Sequence, residues 1–238
     1  IQAAVCGPTQ ASENRVTRTD EIIKLIIGLP ESEQRVVLKE LRKRIPIHPM
    51  EEKLMAPAET ILEAIGRSGD LTVRGIEGII AECSFVMEIV PTLSTMKPKE
   101  FIGDQAFDSL LTDALGDVRV QVKMQRRKQR MPLMANEQLT KRKWPSDHFI
   151  VETQRTRSGK KGDVNTRPYR FGSFDILAVS MGASKGRWSA FMFTVERWLL
   201  PAEKDATCLL TYQPVPPQPS NCWTDDFMQC VGWFRSGV

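Results

Sequence analysis

The sequence predicts an α/β fold: a central mixed β-sheet flanked by helices, preceded by a helical N-terminal region. Three observations carry that expectation. Residues 19–90 place apolar side chains at helical spacing between proline stops, and residues 106–195 break into short alternating runs separated by Gly, Pro and basic loops. The order is helices, then a hairpin, then further strands, which is the pattern of a sheet covered by helices. We divide the chain near residue 70, with 1–70 as the helical region and 71–238 as the α/β core.

Each element has a local reason. Thr19 can cap "DEIIKLIIGL", Pro30 ends that helix, and "ESEQRVVLKELRKR" follows with acids early and basic residues late, as the helix dipole prefers. After a Pro-rich joint, "PAETILEAIG" makes a short helix that stops at Gly66. The spacing of Ile76, Ile79, Ile80, Cys83, Met87 and Val90 predicts an amphipathic helix from about Thr72 to Pro91. Strands are expected at "FDSLL", "VRVQVKMQ", "HFIVETQ", "FDILAVSM" and "WSAFMFTV". A Pro-rich stretch, "YQPVPPQPSN", then leads to a terminal helix over "TDDFMQCVGWF". The aromatics Trp188, Phe191, Phe193, Trp198, Trp223, Phe227 and Phe234 fall at strand or helix spacing and read as core.

Composition narrows the function. The 238 residues are 41% hydrophobic and 26% charged, an ordinary globular balance. No apolar run approaches the ~20 residues that span a bilayer, since "EIIKLIIGLP" is broken by Lys24 and Pro30. With no signal-peptide pattern visible, a soluble cytoplasmic protein with no membrane partner is expected. Five cysteines (Cys6, Cys83, Cys208, Cys222, Cys230) form no C-x-x-C pair, so neither a zinc site nor a disulfide framework is expected. The net charge of +4 is unevenly spread: residues 119–170 hold fifteen Lys or Arg against four acids, and the remainder is net negative. A basic middle on an acidic body is the footprint of a polyanion binder.

The stretch "FDSLLTDALGDVRVQVKMQRR" carries the chemistry. If "DALG" is the turn, with Gly116 taking a positive φ, Asp108 falls opposite Gln121. Side chains alternate along a strand, so Gln121 and Lys123 share one face while Val120 and Val122 take the other. A carboxylate, an amide oxygen and an ammonium converging there suit phosphodiester hydrolysis with Mg²⁺.

Asp108 followed thirteen residues later by Gln121-Val122-Lys123 resembles the PD-(D/E)XK nuclease superfamily, and within it the type II restriction endonucleases. Phe107 stands where that pattern has Pro, and Gln121 where it has an acid. The resemblance implies a restriction-endonuclease-like core, Mg²⁺ as cofactor, double-stranded DNA as substrate and a homodimer. It also implies a Glu from the preceding helix, for which Glu77, at the edge of the apolar face, is chosen over Glu82 and Glu88. The expected catalytic set is therefore Asp108, Gln121, Lys123 and Glu77, with Asp108, Gln121 and Glu77 on the metal.

DNA contacts are expected from Gln125, Arg126, Arg127, Lys128 and Arg130, which continue directly from the site, and from Lys141, Arg142, Lys143, Arg155, Arg157, Lys160 and Lys161. Gln125, Gln154, Arg155 and Asn165 are residue types able to read bases. Asp175 is a reserve carboxylate that reads better as a strand-start acid. Two other readings stay open. One is a structure-specific or repair nuclease on the same core; the other is a non-catalytic regulator using "GDLTVRGIEGIIAEC" in a helix-turn-helix.

Overall fold

The computed structural model describes residues 17–45, 48–128, 131–139, 143–155, 160–161, 164–165 and 167–237, with backbone alone at 160–161 and 164–165. The chain divides into two compact units, Ile1–Ser68 and Gly69–Val238.

The first unit holds α1 (Arg18–Ile27), α2 (Glu31–Arg44), α3 (Pro49–Leu54) and α4 (Ala58–Gly66). Thr17, not Thr19, caps α1. Its hydroxyl accepts from the Asp20 N–H at 3.2 Å, while the Asp20 carboxylate accepts from the Thr17 N–H at 2.8 Å, a reciprocal capping box that starts the helix before Thr19. The Pro-rich joint contains α3, a helix that its prolines obscure in the sequence. His48 caps it, its ring nitrogen accepting from the Met50 N–H at 3.1 Å. Glu51 then accepts from the Ala58 N–H at 3.3 Å, tying α3 to the start of α4.

The second unit opens with α5 (Asp70–Ser84), which runs into a π-helical turn (Phe85–Ile89) and a 3₁₀ turn (Val90–Thr92). It presents a different face from the one that apolar spacing predicts. Ile79 and Met87 are 58% and 74% exposed, whereas Glu77, Ala81, Ser84, Phe85 and Val90 are buried. Small residues at 81 and 84 let the helix approach the sheet, and Phe85 fills the space beyond, edge-on to Phe191, Phe193 and Phe227.

Along the chain then come β1 (Lys97–Pro98), β2 (Ser109–Asp113), β3 (Gly116–Met124), β4 (Arg127–Lys128), β5 (Met131–Pro132), α6 (Ala135–Gln138) and β6 (Phe149–Glu152). They are followed by β7 (Lys160–Lys161), β8 (Val164–Asn165), β9 (Ile176–Ser180), α7 (Gly182–Lys185), β10 (Phe191–Val195), β11 (Tyr212–Val215) and α8 (Phe227–Ser236). The main sheet has the order β1-β2-β3-β9-β10, antiparallel except for the central pair β3 and β9, which is parallel. It is the mixed sheet expected from the order of elements. A parallel pair needs a long crossover. Here the crossover is residues 125–175, so most of the basic block is the connection between the two central strands.

One sheet face packs Val118, Val120, Val122, Ile176, Ala178, Phe191, Phe193 and Val195 against α5 and α8. The other packs Leu177, Val179 and Met192 against Val151, Tyr169, Phe174, Leu209, Val215 and Trp223. The aromatics read as core are core: Phe191, Phe193 and Phe227 are buried in the first cluster with Trp188, Trp198 and Phe234 half-buried against it, and Trp223 is buried in the second. The stretch expected to be only Pro-rich contains β11, with Pro214 opposite Ile150 of β6. Proline fits there because this sheet has two strands, and an edge strand tolerates a missing donor.

Candidate active site

The hairpin positions the site. Ser109 pairs with Val120 and Asp113 with Gly116, leaving Ala114 and Leu115 as the loop. Gly116 has φ +115°, a conformation side-chain-bearing residues rarely adopt. Outside the tip, the Arg235 guanidinium donates to both oxygens of Asp113 at 2.8 and 2.7 Å, so α8 holds the hairpin in place. Continuing the register one step sets Asp108 opposite Gln121, and the Asp108 N–H donates to the Val120 carbonyl at 2.9 Å.

Asp108 Oδ2 accepts from the Val122 N–H at 2.8 Å and from the Gln121 amide nitrogen. The same nitrogen donates to the Val122 carbonyl at 3.2 Å. These two acceptors fix the amide's orientation, because the flipped form would set an oxygen against a carboxylate and a carbonyl. Gln121 Oε1 is consequently aimed away from both, and it is buried without a hydrogen-bond partner among the described residues. Such an orphan acceptor costs about 1–3 kcal/mol. Burial raises the Asp108 pKa, opposed by the Lys123 charge and by the two donors.

The helix acid in electrostatic reach of Asp108 is Glu82. Its pKa is pushed up to about 7, first by burial and then by the Asp108 charge, with Lys123 opposing. Glu77, the acid chosen from sequence, is buried and forms an ion pair with Arg127, its Oε2 accepting from Arg127 Nε at 3.2 Å. The reason is the roll of α5. The helix buries the face through Glu77, Ala81 and Ser84 rather than its apolar ridge, which leaves Glu82 half-buried and within the field of Asp108 and Lys123.

Lys123 Nζ lies 5.5 Å from the ring centroid of Tyr169, and Arg155 Cζ lies 5.8 Å from the same centroid. Tyr169 is not singled out by any local pattern in the sequence. It arrives from the far end of the crossover, fixed by Leu209, whose N–H donates to the Tyr169 carbonyl at 2.8 Å, and by Phe174, edge-on at 5.5 Å.

The expected DNA contacts divide. Lys128 and Lys143 are exposed, while Arg126 is half-buried 3.3 Å from Glu152 and Arg127 is committed to Glu77. Gln125 is withdrawn from any base-reading role in this conformation. It is fully buried, and its oxygen accepts from the Ser184 N–H at 3.1 Å. Gln154 donates to Thr211 at 2.9 Å. Lys160 and Lys161 lie on β7, and Arg130, Lys141, Arg142 and Arg157 lie outside the described residues. Asp175 is the strand-start acid: it takes the Arg119 N–H at 2.7 Å and the Arg119 guanidinium at 2.6 and 3.1 Å, bracing the starts of β3 and β9.

The donor set fits a divalent cation. Among the described residues no three His, Cys, Asp or Glu side chains form a metal-holding group. The Asp108 and Glu82 carboxyls and the Gln121 amide oxygen, which has no hydrogen-bond partner among the described residues, are all hard oxygen donors of the kind a divalent cation accepts. Both carboxylates are disfavoured as anions by burial, which a bound cation would reverse.

No family model matches the sequence, and no curated protein matches it. A solved structure of a bacterial homing endonuclease, I-Ssp6803I, is similar to this chain at 16% identity and a TM-score of 0.37, over 71% of this chain and 96% of that one. No helix among the described residues is long and apolar enough to cross a membrane.

Proposed function

We propose that the protein is a Mg²⁺-dependent endonuclease that hydrolyses phosphodiester bonds in double-stranded DNA, in the manner of a type II restriction enzyme. The observation that carries this is the buried, unpartnered Gln121 Oε1 beside Asp108, with Glu82 and Lys123 within electrostatic reach. Asp108, Glu82 and Gln121 would hold the metal, which when bound supplies positive charge to the phosphate and lowers the pKa of a water.

The remaining roles belong to the chain itself. Lys123 brings a second positive charge to the place where charge develops on the phosphate. The hairpin backbone holds Asp108 against Val122, so the carboxylate needs little reorganisation on binding. Lys128 and Lys143, exposed on the basic crossover, take backbone phosphates and position the duplex. Cutting both strands needs two such sites, so the proposed working form is a homodimer.

The test is a digest of long phage DNA with Mg²⁺ and with EDTA, read on a gel. Discrete Mg²⁺-dependent bands are expected, lost in Asp108→Ala and Lys123→Ala while DNA binding largely survives. Cleavage at the normal rate by either variant would remove the site assignment. Intact long duplex in both lanes, with cutting of a branched or damaged substrate, would move the reading to a repair nuclease. Binding without any cutting would leave a regulator.

A further inference from the structure

Lys123 and Arg155 rest on one aromatic ring, 5.5 and 5.8 Å from its centroid, and neither makes a salt bridge with a described residue. Two cations in a partly desolvated place cost free energy, and the Asp108 and Glu82 carboxyls that act on Lys123 are themselves disfavoured as anions by burial, so a phosphate would complete the arrangement. Tyr169 lowers that cost. The negative face of its π-system attracts both cations, and its own placement is rigid, because it is 5% exposed, packed edge-on against Phe174 and bonded to Leu209. Burial raises the phenol pKa; the Lys123 charge, a hydrogen bond with Lys123 and the Arg155 charge oppose that rise, and the Asp108 charge adds to it, so ring, carboxylate and both cations share one locality.

A planar guanidinium offers forked donors and an ammonium offers a point charge, and the two together match the oxygens of a phosphodiester. We propose that Tyr169 is a positioning residue whose ring holds Lys123 and Arg155 in one locality as a two-cation subsite for a phosphate of the DNA backbone. The inference rests on the nuclease reading above. It adds a residue that makes no bond to substrate and acts through the two that do.

The test has one arm without DNA. In protein labelled at lysine Cε, the ε-methylene signal of Lys123, assigned by its loss in Lys123→Arg, is expected to be displaced upfield by the ring current. Tyr169→Phe should keep that displacement and Tyr169→Leu should lose it. An undisplaced signal in the wild-type protein overturns the platform whatever the protein cuts. The second arm is single-turnover cleavage of phage DNA in Mg²⁺, at a temperature where each variant is folded. Tyr169→Leu should slow the rate at saturating enzyme by roughly 10- to 100-fold with little change in the half-saturating concentration, as expected for a misplaced catalytic group. Tyr169→Phe, which keeps the ring and loses only the hydrogen bond of the phenol with Lys123, should restore part of that rate, and Arg155→Ala should raise the half-saturating concentration as well as lower the rate. A general packing defect would instead move rate and melting temperature together.

If Tyr169→Leu does not fold, Arg155→Ala still decides: cleavage at the wild-type rate and concentration overturns the two-cation subsite. Wild-type protein that cuts no DNA in Mg²⁺ would remove the nuclease reading, and the labelled-lysine arm would still show whether the ring holds Lys123.

Discussion

Gln121 carries a neutral oxygen where the nuclease motif it resembles has an acid, and its surroundings show how the fold holds a buried amide there. Its nitrogen is taken by Asp108 and by the Val122 carbonyl, so its oxygen is held in one direction and left free. A carboxylate there would face Asp108 with like charge, whereas the amide donates to it. Glu82 and Glu77 differ in a similarly local way. Glu82→Gln removes a charge that burial and Asp108 both disfavour, so cleavage should be lost while melting temperature in EDTA holds or rises. Glu77→Gln leaves the half-buried Arg127 guanidinium without its anion, so stability should fall by about 1–3 kcal/mol with part of the cleavage rate retained. Thermal melts and single-turnover cleavage of the two variants check this, and a reversed pattern would return the metal site to Glu77.

Among the elements, the hairpin is the part that local sequence specifies. Gly116 can take φ +115°, the two-residue loop follows, and the register then sets Asp108 against Gln121, with Arg235 of α8 anchoring the tip at Asp113. Gly116→Val should therefore cost ~1–2 kcal/mol from the strained backbone, a fall of roughly 2–8 °C in melting temperature for a unit of this size. Cleavage should weaken at the same time, because the turn sets the register of Asp108. Unchanged melting would show that the strained conformation is dispensable. Helix α5 is the contrasting element. Its apolar spacing is visible in the sequence, but spacing cannot say which ridge meets the sheet. The choice fell to Ala81, Ser84 and Phe85, because close approach and a filled void outweigh the burial of Ile79 and Met87.

Across the molecule as a whole, the site combines two carboxylates that the fold disfavours as anions. The Glu82 pKa is raised from its ordinary value of 4.5 to about 7, and that of Asp108 is raised as well. An acid raised on folding binds more protons folded than unfolded. Its contribution is therefore present below the unfolded pKa and is lost as pH rises through the folded one, here between about 4.5 and 7 for Glu82. A divalent cation should offset that loss by favouring the ionised forms. The melting-temperature gain from Mg²⁺ should accordingly be small near pH 5 and grow toward pH 8, and a gain that is flat across that range would count against these two acids as ligands. The mixed sheet, the hairpin register, the aromatic core and the basic middle segment were all legible along the chain, because alternation, turn chemistry and charge are properties of neighbours in sequence. The roll of α5 that commits Glu77 to Arg127, the burial of Gln125, and the arrival of Tyr169 and Arg155 beside Lys123 were settled in three dimensions. Those depend on how elements tens of residues apart pack, and packing follows shape and volume that no local pattern encodes.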